Sequence, residues 1–275
     1  MSKVFITGAS SFLGSELVDF LKDKHEVVVL EHTKRLGETA GVKIINGGLE
    51  NILNWQSALF GIETVIHMAG VTHTKDIGLY QKINTKGTED LIASAQKYGV
   101  KQFIFISTRA IGENCGAYGA SKALAEEIVK KSNLNFTILR IAEAYDDNFS
   151  GKEGLSSIAS LIEKSLFVPY IKDSGALSPI HKNDVTRAIE KCIGNQVVVS
   201  KTYTLSGPED LSFKEIEKRI IRYKKLKRIL VPVPKLLMKL YSKTPDQWQR
   251  FICYKESLSQ NVLSDLGITP RKFLK

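Results

Sequence analysis

The 275-residue chain has little cysteine and no long apolar run. Its three cysteines, Cys115, Cys192 and Cys253, lie far apart and form no C-x-x-C pair. This spacing argues against a zinc site or a disulfide framework and favours a reducing compartment, the cytoplasm. The apolar run near the N-terminus covers only Val4 to Ile6, which is too short for a signal peptide. No segment reaches the roughly 18 apolar residues that a membrane span needs.

Positive charge is concentrated near the C-terminus. The formal net charge is +10, and eleven basic residues lie between Lys214 and Lys243, opposed only by Glu215 and Glu217. Apolar residues recur there at helical spacing, so the simplest interpretation is the solvated face of a helix. The alternative is weak attraction to an anionic membrane surface or to a lipid-linked polyphosphate. Nucleic acid is disfavoured as a partner because few aromatic residues are interleaved to stack bases.

Strand and helix patterns alternate over the first 140 residues. The predicted strands are Lys3–Thr7, Val27–Glu31, Val42–Ile45, Glu63–His67, Gln102–Ile106 and Phe136–Arg140, and the predicted helices are Phe12–Lys22, Tyr80–Tyr98 and Tyr118–Ser132. Continuously apolar strands separated by helices are typical of a parallel sheet covered on both faces. The sequence therefore predicts an α/β fold with a doubly wound, Rossmann-type sheet, whose ligand crevice lies beyond the carboxyl ends of the strands.

The alternation weakens after Arg140. Helices are predicted at 155–164, 183–193 and 214–229, a short strand at 202–205, and two short helices beginning at Pro234 and Pro245. We therefore expect a dinucleotide-binding domain at 1–150 with a return segment at about 181–206. Residues 151–180 and 207–275 are expected to form a smaller, mostly helical cap that binds the substrate.

A glycine loop joins the first strand to the first helix. Glycines at positions 8 and 14 let the backbone approach a pyrophosphate, and the helix N-terminus attracts the anion. A turn without any ligand would have the same anatomy. The residues predicted to contact a dinucleotide here are Gly8, Ser10, Ser11, Phe12, Leu13 and Gly14.

An acidic residue ends the second strand, seventeen residues after the glycine loop. Glu31 can accept hydrogen bonds from the adenosine ribose hydroxyls, which favours NAD and repels the 2′-phosphate of NADP. Lys34 and Arg35 lie close enough in sequence to argue for NADP, although a solvated loop explains them as well.

Tyr118 and Lys122 are four residues apart, so they share one face of the predicted helix. A tyrosine with a pKa of ~10 is a poor base at neutral pH. A nearby lysine ammonium favours the phenolate and lowers the pKa of the tyrosine, and proton transfer works best when that pKa approaches the working pH. The pair is therefore a candidate for acid/base catalysis.

Six motifs follow one another in a recognisable order: Thr7–Gly14, Val65–Gly70, Asn84–Thr88, Ile106–Thr108, Tyr118–Lys122 and Ser178–Val185. Over roughly residues 2–207 the chain resembles the extended short-chain dehydrogenase/reductases, in the NAD-dependent epimerase/dehydratase branch that handles nucleotide sugars in polysaccharide biosynthesis. The resemblance implies NAD as cofactor, with NADP as the alternative, no metal, a nucleotide sugar as substrate and a homodimer formed through the helices at 80–98 and 118–132.

The resemblance also implies roles for individual residues. Ser107 would polarise a substrate oxygen, with Thr108 as the substitute if the register shifts by one. Tyr118 would exchange its proton, and Lys122 would tune the tyrosine and hold the nicotinamide ribose. The net reaction would be hydride exchange between C4 of nicotinamide and a sugar carbon. Further cofactor-site residues implied in this way are Leu49, His67, Ala69, Gly70 and Asn84, although His67 also fits a packed histidine and Asn84 a structural role.

Four features depart from the family pattern. Ser11 stands where a third glycine is usual, and the step Gly47-Gly48-Leu49 lacks an aspartate that binds adenine. Gly175-Ala176-Leu177 lacks an arginine that clamps a phosphate, and only eleven residues separate Ser107 from Tyr118. The last two leave open an NADPH-dependent reductase of a non-sugar carbonyl compound. A third hypothesis, a non-enzymatic dinucleotide-sensing module, predicts a broken Ser/Tyr/Lys set, whereas the set here is complete.

Polar residues at the carboxyl ends of predicted strands are candidates for substrate contacts, because the ligand crevice opens there. Each of them also fits an ordinary loop position. They are Thr72, Arg109, Glu143, Tyr145 and Asn148, together with His73. His181 is expected in a turn that caps the following helix.

Overall fold

The computed structural model describes residues 1–37, 39–111, 115–151, 154–171, 176–234 and 262–274. Among these residues, seven parallel strands form one sheet in the order β10-β6-β5-β4-β1-β2-β3. The strands are β1 (Lys3–Thr7), β2 (Glu26–Glu31), β3 (Val42–Asn46), β4 (Thr64–His67), β5 (Gln102–Thr108), β6 (Asn135–Ile141) and β10 (Lys201–Leu205). The strand order reverses between β1 and β4, which is where a doubly wound sheet binds its ligand. The predicted fold class is confirmed.

Helices cover both faces of this sheet. They are α1 (Phe12–Leu21), α2 (Gly87–Lys97), α3 (Gly116–Lys130) and α5 (Lys182–Cys192), joined by short 3₁₀ turns at 49–54, 56–59 and 196–198. On one face, Leu17 of α1 and Ile189 of α5 are fully buried in the core; on the other, Leu91 of α2 and Val129 of α3 are. None of the described helices is long and apolar enough to cross a membrane.

The cap contains α4 (Leu155–Lys164), α6 (Phe213–Tyr223) and a two-stranded parallel sheet of β8 (Phe167–Ile171) and β11 (Ile229–Val233). Its buried core includes Leu155, Ile162, Val168, Ile216 and Ile220. A second parallel pair joins β7 (Ala144–Tyr145) to β9 (Ile180–His181). In sequence, β7 lies between β6 and α4, and β9 lies between β8 and α5. The C-terminal segment contributes to both cores, since Leu263 packs with the large sheet and Phe273 with the cap.

The structure differs from the sequence predictions at several boundaries. The helix predicted at 214–229 ends at Tyr223, because Lys225 takes the left-handed conformation (φ 53°) and the chain turns into β11. The helix predicted at 80–98 divides into a π-helical turn, Tyr80–Lys86, and α2. The helices predicted at Pro234 and Pro245 lie outside the described residues.

A helix cap agrees with the sequence prediction, and a cysteine does not. His181 caps α5, since its Nδ1 accepts the N–H of Asn183 at 3.2 Å. Cys115, at the start of α3, is disulfide-bonded, which the cysteine spacing did not predict, whereas Cys192 is free and buried.

Candidate functional site

The glycine loop leaves no room for side chains at its two glycines. A Cβ at Gly8 would lie 2.7 Å from the amide nitrogen of Ala69, and the backbone there has φ +76°. A Cβ at Gly14 would meet the carbonyl oxygen of Gly8. Such a loop presents bare backbone at a helix N-terminus, which is the shape and polarity that a pyrophosphate requires. The residues present therefore fit the phosphate groups of a dinucleotide.

Ser11, which stands where a third glycine is usual, caps α1. Its Oγ accepts the N–H of Gly14 at 3.0 Å, and its own N–H donates to the carbonyl of Gly8 at 3.0 Å. A serine in this position satisfies one of the unpaired N–H groups of the first turn. The substitution is thus accommodated within the loop.

Two charged side chains lie at the end of β2 and just after it, and one of them reaches the glycine loop. Glu31 is buried, and its Oε1 accepts the N–H of Leu36 at 2.5 Å. Lys34 donates from Nζ to the carbonyl of Ser10 at 2.6 Å. Lys34 is exposed, as the sequence analysis favoured, and its contact brings a cation to the glycine loop.

A carboxylate that the sequence analysis missed lies at the end of β3. A Cβ added at Gly48 would meet the carboxylate of Glu50, so this group fills the space that a side chain at position 48 would take. Its Oε1 lies 3.1 Å from His32 Nε2. The Gly47-Gly48-Leu49 step does not indicate this carboxylate, because the acid is the residue that follows Leu49. Leu49 itself is buried against Gly87.

Ser107, Tyr118 and Lys122 line one cavity beyond the carboxyl ends of the strands. Ser107 lies near the end of β5, and the other two lie on α3. Ser107 is 5% exposed, and its Oγ has no hydrogen-bond partner among the described residues. Because a buried hydroxyl without a partner carries a free-energy cost, Ser107 is ready to bond to a ligand in the cavity.

The surroundings of Lys122 lower its pKa. The side chain is buried; Nζ donates to the carbonyl of Ile106 at 2.8 Å and lies 4.0 Å from the centre of the Phe105 ring. Loss of hydration lowers the pKa of Lys122 to about 7, against a smaller opposing effect of Glu126. Glu126 also binds Arg140 of β6 at 2.8 Å, which fixes α3 against the sheet.

Asn84 and His67 do not line the cavity formed by the described residues, and both make hydrogen bonds within the protein. Asn84 accepts the N–H of Val71 at 2.7 Å and donates to the Oγ of Ser121 at 3.1 Å, so it joins the loop after β4 to α3. His67 is fully buried between the hydroxyls of Thr7 and Thr88, at 2.7 and 2.9 Å. Burial lowers the pKa of His67 to about 3, which keeps the ring neutral.

The cavity has a volume of about 860 Å³. Thirteen of the residues singled out in the sequence line it: Ser11, Phe12, Leu13, Lys34, Gly70, Thr72, His73, Ser107, Thr108, Arg109, Tyr118, Lys122 and Glu143. The other cofactor candidates do not line it: Gly8 and Ser10 lie in the glycine loop, Gly14 in α1, Glu31 at the end of β2, Leu49 in the 3₁₀ turn at 49–54 and Ala69 in the loop after β4. One cavity thus joins the glycine loop to the Ser/Tyr/Lys set.

Arg109, which is buried, and Glu143, which is half-buried, form a polar cluster after the ends of β5 and β6. Arg109 donates to the Oγ of Ser178 at 2.5 Å and lies 3.7 Å from Glu143, which in turn accepts the N–H of Ser178 at 3.0 Å. Asp210 also binds the Ser178 hydroxyl. The cluster therefore joins the end of β5 to the cap.

Two substrate candidates lie away from the cavity. Tyr145 is buried in the cap core, edge to face with His181 and Phe273, and burial raises its pKa to about 12. Asn148 is exposed. Conversely, Lys182 lines the cavity, 2.9 Å from Glu16, although only its position in the Ser178–Val185 motif could have suggested it.

Comparison with known proteins gives a family match. The model of the NAD dependent epimerase/dehydratase family matches residues 4–166. A UDP-glucose 4-epimerase of Vibrio cholerae is 25% identical over 268 residues, which cover 87% of this chain and 81% of that protein. A ceramide reductase of Caulobacter vibrioides is 25% identical over 186 residues, covering 66% of this chain and 57% of that protein.

Solved structures share the fold. The UDP-glucuronic acid 4-epimerase of Bacillus cereus, in complex with UDP-glucuronic acid and NAD, superimposes with a TM-score of 0.80 at 17% identity. The match covers 99% of this chain and 95% of that one.

Proposed function

The chain belongs to the NAD dependent epimerase/dehydratase family, and from that premise we propose that it is an epimerase, dehydratase or ketoreductase of a nucleotide sugar. The observation that supports this most is the convergence of the glycine loop and Ser107, Tyr118 and Lys122 on one cavity. The family and its structural neighbours are NAD-dependent.

The cofactor would lie with its pyrophosphate on the glycine loop between Gly8 and Gly14. Glu31 and Glu50 would face the adenosine end, where carboxylates accept hydrogen bonds from the ribose hydroxyls and the adenine amino group. Lys122 would hold the nicotinamide ribose. When bound, NAD supplies the hydride acceptor and donor; the side chains of the protein move the proton and bind the oxygen.

Tyr118 would remove the hydroxyl proton of the substrate while Ser107 donates a hydrogen bond to the oxygen on which charge develops. A hydrogen bond that strengthens as this charge develops stabilises the transition state more than the ground state. Lys122, whose ammonium favours the phenolate, would adjust the pKa of Tyr118 toward the working pH. Arg109 and Glu143 would contact the substrate near Ser107.

Native mass spectrometry of freshly purified protein, followed by a turnover screen with nucleotide sugars, tests this function. Retained NAD with turnover in the absence of added cofactor would identify an epimerase or dehydratase. An empty site with turnover that consumes reduced cofactor would identify a ketoreductase. If no nucleotide sugar is turned over or raises the melting temperature, the proposed substrate class is wrong.

The second candidate function is an NADPH-dependent reductase of a non-sugar carbonyl compound. Lys34, which reaches the glycine loop at Ser10, favours it because a cation there attracts the 2′-phosphate. The similarity to a ceramide reductase is consistent with such a substrate. Comparing the affinities for NADH and NADPH, with carbonyl compounds in the same screen, separates the two functions.

A further inference from the structure

The cap carries an exposed apolar patch, which we define as Leu166, Phe167, Ile229 and Val231. These side chains are 56%, 60%, 52% and 37% exposed. Phe167 and Ile229 are register partners in the parallel β8–β11 pair, and the Ile229 N–H donates to the carbonyl of Leu166 at 2.9 Å. Val231 lies two residues further along the strand, on the same face as Ile229. Phe167, Ile229 and Val231 therefore share one face of the β8–β11 pair, and Leu166 directly precedes Phe167 at the start of β8.

Basic residues border the patch. Lys164 ends α4 just before Leu166, and Lys225 and Lys227 precede Ile229; all three are exposed. The nearby acid Glu163 is already paired with Lys224 at 2.7 Å. Arg228 is held in place by hydrogen bonds to the carbonyls at the end of α4, at 2.6 and 2.9 Å.

This combination fits one kind of partner. A contiguous exposed apolar surface marks an interaction site. Apolar side chains surrounded by lysine and arginine bind at the boundary between acyl chains and anionic headgroups, where the lysines attract the surface and the apolar groups enter it. A protein partner would need matching acidic groups around an apolar centre, whereas an anionic bilayer offers both over any area. We propose that the cap docks on an anionic membrane surface through the patch.

The location of the patch connects it to the cavity. Leu155 and Ser156, in the first turn of α4, line the cavity, and Lys164, at the end of the same helix, borders the patch. A helix of ten residues is about 15 Å long. Docking would thus hold the cavity within about 15 Å of the headgroups along α4, a distance suited to a substrate carried on a lipid.

Co-sedimentation with vesicles tests the docking and does not depend on the proposed catalytic function. The full chain is mixed with vesicles of phosphatidylcholine alone or of phosphatidylcholine with phosphatidylglycerol. We expect binding to the anionic vesicles that falls as salt is raised. Because each basic residue near such a surface contributes about 1 kcal/mol, or roughly fivefold, Lys225→Ala with Lys227→Ala should weaken binding by about 30-fold.

The apolar part is tested by Phe167→Ser with Ile229→Ser, expected to weaken binding by about tenfold or more with the salt dependence retained. Phe60→Ser is the matched control, since Phe60 is 79% exposed but lies outside the cap. Unchanged NADH binding verifies that each variant is folded. The proposal would be overturned by equal binding to both vesicle types or by an equal loss in the Phe60 control. It would also be overturned if the protein bound no vesicles; self-association that the double serine variant abolishes would then assign the patch to a second copy of the chain.

Discussion

The large-sheet half and the cap use charge in opposite ways. Around the cavity, Lys122 and Arg109 are buried and bonded to neighbouring backbone or side chains. In the cap, Lys225 and Lys227 are exposed beside apolar side chains, while one acid, Glu217, is buried with its Oε2 lacking a partner among the described residues. Burial changes the pKa of a group, whereas exposure leaves its charge available to a surface. The two regions thus differ in where their charged groups lie: around the cavity they are buried, and on the cap they are exposed beside apolar side chains.

Apart from the replacement of Tyr118 that tests the central claim, the largest expected effect is on turnover, from Ser107→Ala. Removing a hydrogen-bond donor to a developing oxyanion lowers kcat by about 10²- to 10³-fold. Thr108→Ala is the matched control, because Thr108 also lines the cavity but bonds to the N–H of Ala110. Steady-state kinetics with the active substrate measure both. A larger loss in Thr108→Ala would show that the roles of the two residues are exchanged.

Lys122→Met is expected to reduce activity but to raise stability at neutral pH. Burial lowers the pKa of Lys122 from 10.5 to about 7, so between these values the unfolded chain binds a proton that the folded protein does not. The resulting loss of folding free energy grows as the pH falls from 10.5 to about 7 and is constant at lower pH. The methionine variant should therefore gain up to about 4 kcal/mol at pH 7 and about 1 kcal/mol near pH 10.

Urea denaturation at both pH values measures this difference. Lys130→Met is the control, since Lys130 is an exposed residue of the same helix paired with Glu127. A gain for Lys122→Met that is the same at both pH values would contradict the assigned pKa.

Glu217→Gln tests the corresponding group in the cap. Burial raises the pKa of Glu217 from 4.5 to about 8, so the unfolded chain loses its proton before the folded protein does. Stability is therefore lost as the pH rises from 4.5 to about 8. We expect the glutamine variant to be up to about 4 kcal/mol more stable at pH 8 and equally stable near pH 4.5, by thermal denaturation.

Glu215→Gln should show the opposite trend. The carboxylate of Glu215 accepts hydrogen bonds from Ser212, which lower its pKa. Its loss should reduce stability only above the pH at which the carboxylate ionises. If both variants change stability in the same direction at neutral pH, the two environments have been assigned wrongly.

The smallest expected effect is on cofactor choice, from Lys34→Ala. An exposed cation beside a phosphate contributes up to about 1 kcal/mol, so the affinity for NADPH should fall about fivefold while that for NADH changes less. Fluorescence titration measures both. An equal loss for the two cofactors would mean that Lys34 supports the glycine loop and does not select NADP.

The strands of the large sheet could be predicted because each is a continuous apolar run between helices. The strands β8 and β11 could not be predicted, because each contains a proline, Pro169 and Pro232. A two-stranded sheet tolerates these prolines, but in the sequence a proline indicates the end of a strand. The order of motifs located the glycine loop and the Ser/Tyr/Lys set. Tyr145 was misplaced because its partner Phe273 is distant in sequence, and Glu50 was missed because its carboxylate acts from a neighbouring position.

The central claim is that Tyr118 transfers the proton that accompanies hydride exchange in the cavity. The most direct measurement follows the absorbance of the nicotinamide after the active nucleotide sugar is mixed with wild type, Tyr118→Phe and the control Tyr98→Phe, all loaded with cofactor. We predict that Tyr118→Phe binds cofactor and substrate normally and changes the nicotinamide about 10³-fold more slowly, while Tyr98→Phe matches wild type. Equal rates in Tyr118→Phe and wild type would contradict the account.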